Sequence, residues 1–321
     1  MAYFTEGDTL IRNLGPLTLA IIILIPGLVI HTFIIGVNVN DWWKGRSMTY
    51  VDHIVTSLGI SRMGTQFANT LYYFVLTFCT SSLDSYISLL TIDMFYLFFN
   101  YSSFWLTTLL SIVFCLKISN LRTRLFLYLR RMILPRTGHF IAVSGLLSAL
   151  NVLIYLWTIL NVMIKPGIYN TTMDNPNTDC IYANSIYNFT IGSSIPLISY
   201  YISSILLFAS LYHHTMKMKT SSNLSINLET YHSAMKFVSF TFIYNSLYFI
   251  GHIVCILYCY FYCIDLPWLF IIMDFLPALH SSYLIYRTAK LRSQMSKILK
   301  NVINFLFQRK DSERETIEAV D

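Results

Sequence analysis

Charged residues are scarce in this chain. They make up 12% of its 321 residues, against about 25% in a typical soluble domain, and 55% of the residues are hydrophobic. This composition argues against a soluble globular fold. Common catalytic signatures are also missing, since there is no P-loop, GxSxG, HExxH or paired CxxC pattern and no visible internal repeat. These absences predict a protein without enzymatic activity, cofactor or metal.

The six cysteines do not form a disulfide framework of the kind found in small secreted domains. Half of them lie in or near apolar runs, where cysteine packs as a small hydrophobic residue. The others are Cys79, Cys180 and Cys263, which could face an oxidising exterior. A Cys79–Cys180 bridge is one possibility, but the odd number of exterior cysteines leaves the pairing open.

Apolar runs of about 20 residues, the length that crosses a hydrocarbon core of about 30 Å, recur along the chain. Because the bilayer core offers no water to backbone N–H and C=O groups, such runs are expected to form helices. Seven spans are predicted: 17–36, 51–71, 95–116, 140–163, 191–212, 237–259 and 266–286.

An eighth apolar segment, residues 74–90, is interrupted by Ser81, Ser82, Asp84 and Ser85. We interpret this segment as a loop leading into the third span. The first span lacks the basic flank and small-residue cleavage site of a signal peptide, so it is expected to remain in the protein.

Lysine and arginine cluster in alternate connections between the spans, and short cytoplasmic loops retain such residues. Most of the 22 basic residues fall in four groups: 44–46, 117–136, 217–236 and 287–314. This pattern predicts an all-α membrane protein, a seven-transmembrane helix bundle with an extracellular N-terminus and a cytoplasmic C-terminus. The net charge of +6 then lies at the inner leaflet of the lipid bilayer, and nucleic acid is not expected as a partner.

Two glycosylation sequons, at Asn170 and Asn188, fall between spans four and five on the predicted extracellular side. Two further sequons are expected to stay unmodified, because Asn100 lies within a span and Asn223 lies on the cytoplasmic side.

The segment CLKISNLRTRLFLYLRRMI, residues 115–133, joins the third apolar run to a row of cations. Leu121, Leu125 and Leu129 recur at helical spacing with arginines between them, which predicts an amphipathic cytoplasmic loop. Anchoring to anionic lipid is one function of such a loop, and docking of a cytoplasmic protein is the other.

This segment and five others resemble, in order and spacing, the motifs of one receptor family. The others are FIIGVNVNDWWKGR at the end of span one, SRMG in span two, IPLISYYISSILLFASLYHHTMKM in span five, AMK opening span six and HSSYLIYRTAKLRS closing span seven. Each motif is short, but six in order are specific. The chain is therefore similar to the bitter taste receptors (taste receptors type 2) over nearly the whole membrane domain.

Departures from the family pattern indicate a divergent member. His31 stands where the family commonly has asparagine, Thr288 replaces another asparagine, and Tyr231 replaces a histidine. Phe270 stands where some members have an acidic residue that faces the ligand. The presence of phenylalanine predicts that the ligands of this chain are less cationic than the ligands of family members that have the acid.

The resemblance implies a small-molecule site at five positions that contact ligands in the family: Tyr73, Tyr96, Asn100, Tyr248 and Phe270. Asn100 is the strongest candidate, because an amide in mid-membrane needs partners and offers both donor and acceptor. Its alternative role is an interhelical hydrogen bond unrelated to ligand. Core or lipid packing is the alternative for the aromatic positions, since aromatic residues make up 16% of the chain.

Arg62 is the one cation within a predicted span, and a buried guanidinium is costly unless it is paired. The resemblance implies a network of spans one, two and seven, with His31 and Ser281 as candidate partners of Arg62. His214 and His280, near the cytoplasmic ends of spans five and seven, are assigned to the same conformational switch. A purely structural role is the alternative for this network.

The expected protein is a chemosensory G-protein-coupled receptor of the plasma membrane. It would detect bitter-type small molecules and activate a gustducin-like heterotrimeric G protein, with lipid binding as an overlapping role of the docking surface. The residues predicted to face the G protein are Lys117, Arg122, Arg124, Lys217, Lys219 and Lys290.

Two alternatives remain open. The first is a vomeronasal type 1 or other orphan receptor, which shares the predicted fold. The second is a membrane transporter, which is less favoured because neither broken helices nor internal repeats are evident. A membrane enzyme would need convergent carboxylates, whereas Asp93 and Asp274 are placed near the outer ends of their spans. Residues 292–307 are predicted to lie on the inner leaflet as a basic amphipathic segment, and residues 308–321 are predicted to be disordered. Oligomeric state is not predicted.

Overall fold

The computed structural model describes residues 6–79, 83–119, 123–164, 183–220, 225–262 and 266–318. The described residues are almost entirely helical and contain no strand. Within these ranges the helices are α1 Glu6–Trp43, α2 Tyr50–Phe78, α3 Leu83–Ile118, α4 Arg124–Ile133, α5 Thr137–Ile164, α6 Ala183–Thr220, α7 Ser225–Tyr262, α8 Pro267–Arg287 and α9 Ala289–Glu318.

Helix α3 lies at the centre of the bundle, where it contacts α2, α5 and α6. Helix α2 packs between α1 and α3 and also reaches α8, which itself lies between α1 and α7. In the apolar segment of α3, 61% of the residues are buried, against only 11% in that of α5, so α5 lies at the periphery. Helices α1, α3, α6 and α8 all end on the same side of the bundle. We call this side the basic end.

Apolar side chains cover the outside of the bundle, whereas polar side chains lie within it. On α5, Leu146, Leu153 and Trp157 are each at least 59% exposed, while Arg62 of α2 and His280 of α8 are at most 2% exposed. Large exposed apolar surfaces are rare in soluble monomers. Lipid tails are as apolar as leucine and can cover such a surface. The bundle is therefore that of a membrane protein.

Six of the described helices contain a segment long and apolar enough to cross a membrane: Asn13–Trp43, Ile87–Ile118, Thr137–Asn161, Gly192–Met216, His232–Tyr258 and Pro267–Arg287. They correspond to six of the seven predicted spans. Helix α2, the predicted second span, is not among them, and it carries buried polar residues such as Arg62 and Gln66. With 29 residues α2 is about 43 Å long, which exceeds a hydrocarbon core of about 30 Å.

The prediction of a loop at residues 74–90 was wrong where the structure describes them. Helix α2 continues to Phe78, and α3 begins at Leu83 and includes the rest of the segment. Serine and aspartate are unfavourable inside a helix, which motivates the loop prediction. Asp84 and Ser85 lie instead in the first turn of α3, where these residue types are favoured.

The prediction of disorder for residues 308–321 was also wrong as far as Glu318, where α9 ends. This stretch is rich in glutamate, arginine and lysine, which lose little side-chain freedom in a helix. The helix continues directly from the amphipathic segment predicted at residues 292–307.

A tight turn joins α1 to α2 and aligns their ends. Gly45 has a φ of 70°, a left-handed conformation that glycine adopts without steric cost. Thr49 caps α2, because its hydroxyl accepts a hydrogen bond from the N–H of Asp52 and the Asp52 carboxylate accepts one from the N–H of Thr49. The turn brings Asp52 to the same end of the bundle as Asp41 of α1.

The close approach of α2 to α3 predicts different effects at two glycines. A Cβ at Gly64 would lie 2.7 Å from the Phe99 ring of α3, whereas one at Gly36 of α1 would meet nothing within 4 Å. We expect Gly64→Ala to lower the melting temperature of the detergent-solubilised protein, since overpacking costs about 1–3 kcal/mol. Gly36→Ala should leave it unchanged or raise it. Equal effects in a thermal-shift assay would contradict this packing.

Candidate ligand site and polar network

Four helices each place a pair of residues, one helical turn apart, in the interior of the bundle. Neighbouring helices in the sequence run in opposite directions, so the pairs line up as two layers. The aromatic layer consists of Tyr73 of α2, Tyr96 of α3, His252 of α7 and Phe270 of α8. The polar layer, one turn nearer the basic end, consists of Asn69, Asn100, Tyr248 and Asp274 of the same helices.

The aromatic layer is held by ring contacts between helices. The ring centroids of Tyr96 and Phe270 are 5.4 Å apart, and those of His252 and Phe270 are 5.7 Å apart. Tyr73 lies in an adjacent apolar cluster with Ile271 of α8. The predicted aromatic positions of α3 and α8 therefore meet, with Tyr73 at their margin.

The polar layer is held by hydrogen bonds. The Tyr248 hydroxyl donates to Oδ1 of Asn100 at 3.0 Å. The Asn69 amide donates to Oδ2 of Asp274, and the Tyr96 hydroxyl lies 3.5 Å from Oδ1 of the same carboxylate. These side chains are all buried. The layer thus links α2, α3, α7 and α8 by bonds that are costly to break in apolar surroundings.

Three members of the layers were not predicted as site residues from the sequence: Asn69, His252 and Asp274. Each lies four residues from a predicted ligand position on the same helix, so the i, i+4 spacing could have found them. Asp274, placed near the outer end of its span from the sequence, lies two turns inside α8 and is buried.

Arg62 of α2 is fully buried and bonds to α8. Its Nη1 atom lies 2.8 Å from Oγ of Ser281, 2.9 Å from Nδ1 of His280 and 3.3 Å from the carbonyl oxygen of Pro277. On α1, Nε2 of His31 lies 3.1 Å from the same Ser281 hydroxyl. Both partners named from the sequence thus belong to the Arg62 cluster, and its role as a switch stays a prediction.

Arg62, Gln66 and Asn69 form a continuous row on α2 against α8. Gln66 lies between Arg62 and Asn69 on this face, and its Nε2 donates a hydrogen bond to the backbone carbonyl of Asp274 at 3.0 Å. Pro277 lies inside α8 and lacks the N–H that a helix interior requires, which weakens the helical bonding of this turn. We call this row and its partners the α2–α8 seam; it joins the polar layer to the Arg62 cluster.

A cavity of about 30 Å³ lies beside His280, between α3, α6 and α7. Ser111 and Ser204 line it, and their hydroxyls are 3.0 Å apart. The Nε2 atom of His280 is buried without a hydrogen-bond partner among the described residues. The volume suits about two water molecules and is far below the volume of about 300 Å³ that a drug-sized ligand needs.

Lys290, in the first turn of α9, is bonded to acidic residues of α1 and α2. Its Nζ lies 3.0 Å from Asp41, 3.6 Å from Asp52 and 2.9 Å from Oδ1 of Asn38. Asp41 also pairs with Arg46 at 3.0 Å. Lys290, predicted to face the G protein, is thus engaged within the chain and ties α9 to the ends of α1 and α2.

The structure describes the side chains of only some of the remaining predicted site residues. Lys117 and Arg124 are exposed at the basic end, and His214 is half-buried on α6. Cys79 is exposed at the end of α2, and Cys180 lies outside the described residues, so their disulfide stays a prediction. Two residues, Arg122 and Asn170, lie outside the described residues, and only the backbone is described for Asn188, Lys217 and Lys219, all on α6.

Residues 13–303 match the family described as "Taste receptor protein (TAS2R)". The chain belongs to the taste receptor type 2 family. It is 29% identical over 244 residues to taste receptor type 2 member 4 of Gorilla gorilla gorilla, an alignment that covers 73% of this chain and 79% of that protein. Its identity to member 64 of Pan paniscus is 26% over 311 residues, or 88% and 95% of the two chains.

A third relative, taste receptor type 2 member 4 of Pan troglodytes, is 30% identical over 211 residues, covering 63% of this chain and 68% of that protein. Taste receptors type 2 are bitter taste receptors of the membrane, a class of G-protein-coupled receptor rather than of enzyme. Identities of this size agree with the divergence indicated by His31, Thr288 and Phe270.

Replacement of Arg62 tests the importance of the α2–α8 seam in this taste receptor. Arg62→Leu removes the guanidinium contacts of His280 and the Pro277 carbonyl and leaves the Ser281 hydroxyl with His31 alone. A buried polar group that loses its partner costs about 1–3 kcal/mol. We expect the melting temperature in detergent to fall by several degrees. Arg46→Leu is the matched control, because its side chain is 64% exposed and a surface ion pair contributes about 1 kcal/mol at most. Equally small shifts in both variants would contradict the prediction.

Lys290 should be coupled energetically to Asp41. We expect Lys290→Met and Asp41→Asn to destabilise the receptor non-additively, with a coupling of about 0.5–1 kcal/mol that weakens at high salt. Thermal unfolding of the two single variants and the double variant measures this coupling. Lys300→Met, at an exposed position of α9, is the control and should combine additively with Asp41→Asn. Additive effects of Lys290→Met as well would refute the ion pair's contribution.

Proposed function

We propose that this chain is a chemosensory G-protein-coupled receptor that binds bitter-type small molecules at the aromatic and polar layers. The observation that carries the proposal is the convergence of Tyr96, Asn100, Tyr248 and Phe270 in a chain of the taste receptor type 2 family. Aromatic walls with a few fixed polar groups are the usual lining of small-molecule sites. Family membership favours this function over the vomeronasal and transporter alternatives.

The proposed topology has seven spans, with α2 as the second. The polar residues of α2 face α8 rather than lipid, as membrane-buried polar groups usually do, and its length is sufficient. Basic residues collect at one end of the bundle, so we assign that end to the cytoplasm and the N-terminus to the exterior of the plasma membrane. Asn170 and Asn188 are then the proposed glycosylation sites.

Ligand binding must favour one helix arrangement over another to activate the receptor. The α2–α8 seam leads from the polar layer to the Arg62 cluster, and α8 leads on to Lys290 at the basic end. We assign docking of a gustducin-like heterotrimeric G protein to this end. The docking residues are Lys117, Arg122, Arg124, Lys217 and Lys219, with Lys290 holding α9 in place.

The function is tested by expressing the chain in cells that carry a promiscuous or gustducin-like G protein and screening bitter compounds for calcium release. We expect a subset of the panel to elicit release, and untransfected cells to stay silent. Silence across a broad panel, with the receptor present at the cell surface, would overturn the proposal.

Asn100 should contact the agonists that such a screen finds. Asn100→Ala is expected to raise the EC50 by about fivefold to tenfold, the effect of losing one hydrogen bond, with unchanged surface expression. Asn245→Ala is the matched control, because this asparagine of α7 bonds to the Tyr200 hydroxyl of α6 outside the two layers. Equal shifts in the two variants would count against a ligand contact of Asn100.

A further inference from the structure

Asp274 is a buried acid where the aromatic and polar layers meet. It is 2% exposed and lies two turns inside α8. Its Oδ2 accepts a hydrogen bond from the Asn69 amide, and the Tyr96 hydroxyl lies 3.5 Å from its Oδ1, which is long for a hydrogen bond. An ionised carboxylate has about four acceptor positions. Asp274 therefore has capacity for a further donor.

No cation among the described residues forms an ion pair with Asp274. The ion pairs in the described part of the chain all involve Asp41 or Asp52 at the basic end. Arg62, the cation on the facing helix α2, donates to Ser281 and to the Pro277 carbonyl further along α8. Buried carboxylates are usually paired, because withdrawal of a charge from water is costly. Asp274 lacks this partner, and both of its donors are neutral groups.

The aromatic layer adds a second preference for a cation at the same place. Phe270 precedes Asp274 by one turn of α8, and Tyr96 contacts both residues. His252, also in the aromatic layer, has its ring centroid 5.7 Å from that of Phe270. Aromatic ring faces attract an ammonium group within about 6 Å of their centroids. Aromatic rings close to a carboxylate suit an organic ammonium ion whose apolar part packs on the rings.

We propose that Asp274 binds the ammonium group of a cationic bitter-type ligand, with the apolar part of the ligand against Tyr96 and Phe270. This inference rests on the proposed function and names the ligand class of the same site. It reverses the expectation of less cationic ligands that Phe270 raised, because an acid stands one turn further along α8. The ammonium group supplies the positive charge that the neutral donors Asn69 and Tyr96 do not.

Asp274→Asn tests the proposal, because it removes the charge and keeps the size of the side chain and an acceptor for Asn69. Calcium release is measured for quaternary ammonium agonists and for uncharged agonists from the same panel. We expect the EC50 of the ammonium agonists to rise about tenfold or more, the range for a charge-assisted contact, and that of the uncharged agonists to change little. No shift, or equal shifts in both classes, would overturn the proposal.

Asp93→Asn is the matched control, since it makes the same chemical change at a half-buried acid of α3. Asp93 of α3 bonds to Tyr155 of the peripheral helix α5 rather than to α8. We expect no difference between the two agonist classes for this variant. A class-selective shift with Asp93→Asn in place of Asp274→Asn would assign the ammonium group to Asp93 and overturn the proposal.

A comparison on the ligand side does not depend on the folding of any variant. Each quaternary ammonium agonist is paired with an uncharged analogue in which carbon replaces nitrogen, and both are applied to the unaltered receptor. We expect the analogue to be weaker by about tenfold or more. Equal potencies, or responses to uncharged compounds only, would overturn the role of Asp274 while the proposed function stands. Silence to the whole panel at normal surface expression would overturn both.

Discussion

The buried guanidinium of Arg62 is the constraint on which the interior of this receptor depends. A cation in a helix that crosses a membrane is unfavourable unless other groups of the protein surround it. Helix α8 meets this requirement with Ser281, His280 and the carbonyl of Pro277, so the polar face of α2 must lie against α8. Helix α1 joins the same cluster through His31. The relative rotation of three helices therefore follows from one side chain.

The rotation that satisfies Arg62 also builds the candidate site. Gln66 and Asn69 follow Arg62 along the same face of α2, so they meet α8 at Asp274. Asp274 in turn reaches Tyr96 of the central helix α3. Burial of the Arg62 charge and assembly of the proposed ligand site thus both follow from one face of α2.

Six of the seven spans predicted from the sequence fall on helix segments that are apolar enough to cross a membrane, because a bilayer imposes both a length and an apolar composition on each helix. Of the two partners that the family resemblance suggested for Arg62, Ser281 contacts the guanidinium and His31 reaches it through Ser281. The contacts with His280 and the Pro277 carbonyl depend on the packing of α8 and were not predicted. The loop expected at residues 74–90 fails because the position of Asp84 and Ser85 within a helix cannot be known before the helix start is known.

The buried position of Asp274 depends on the interlocking of four helices, which no local pattern encodes. The i, i+4 relation to Phe270 places Asp274 on the same face of α8, but it does not show how deeply the carboxyl group is buried. The helical extension of α9 to Glu318 shows the converse case, in which local propensity alone decides and an assumption from charge misleads.

Helix α9 has a mechanical consequence. Its first turn is fixed to α1 and α2 through Lys290, whereas apolar residues further along, such as Leu299 and Phe305, are exposed. With 30 residues it is about 45 Å long. A rigid rod held at one end acts as a lever, so a tilt of about 5° at Lys290 displaces the far end by about 4 Å. A small rearrangement of α8 would therefore displace the far end of α9 by more than it displaces the other parts of the basic end.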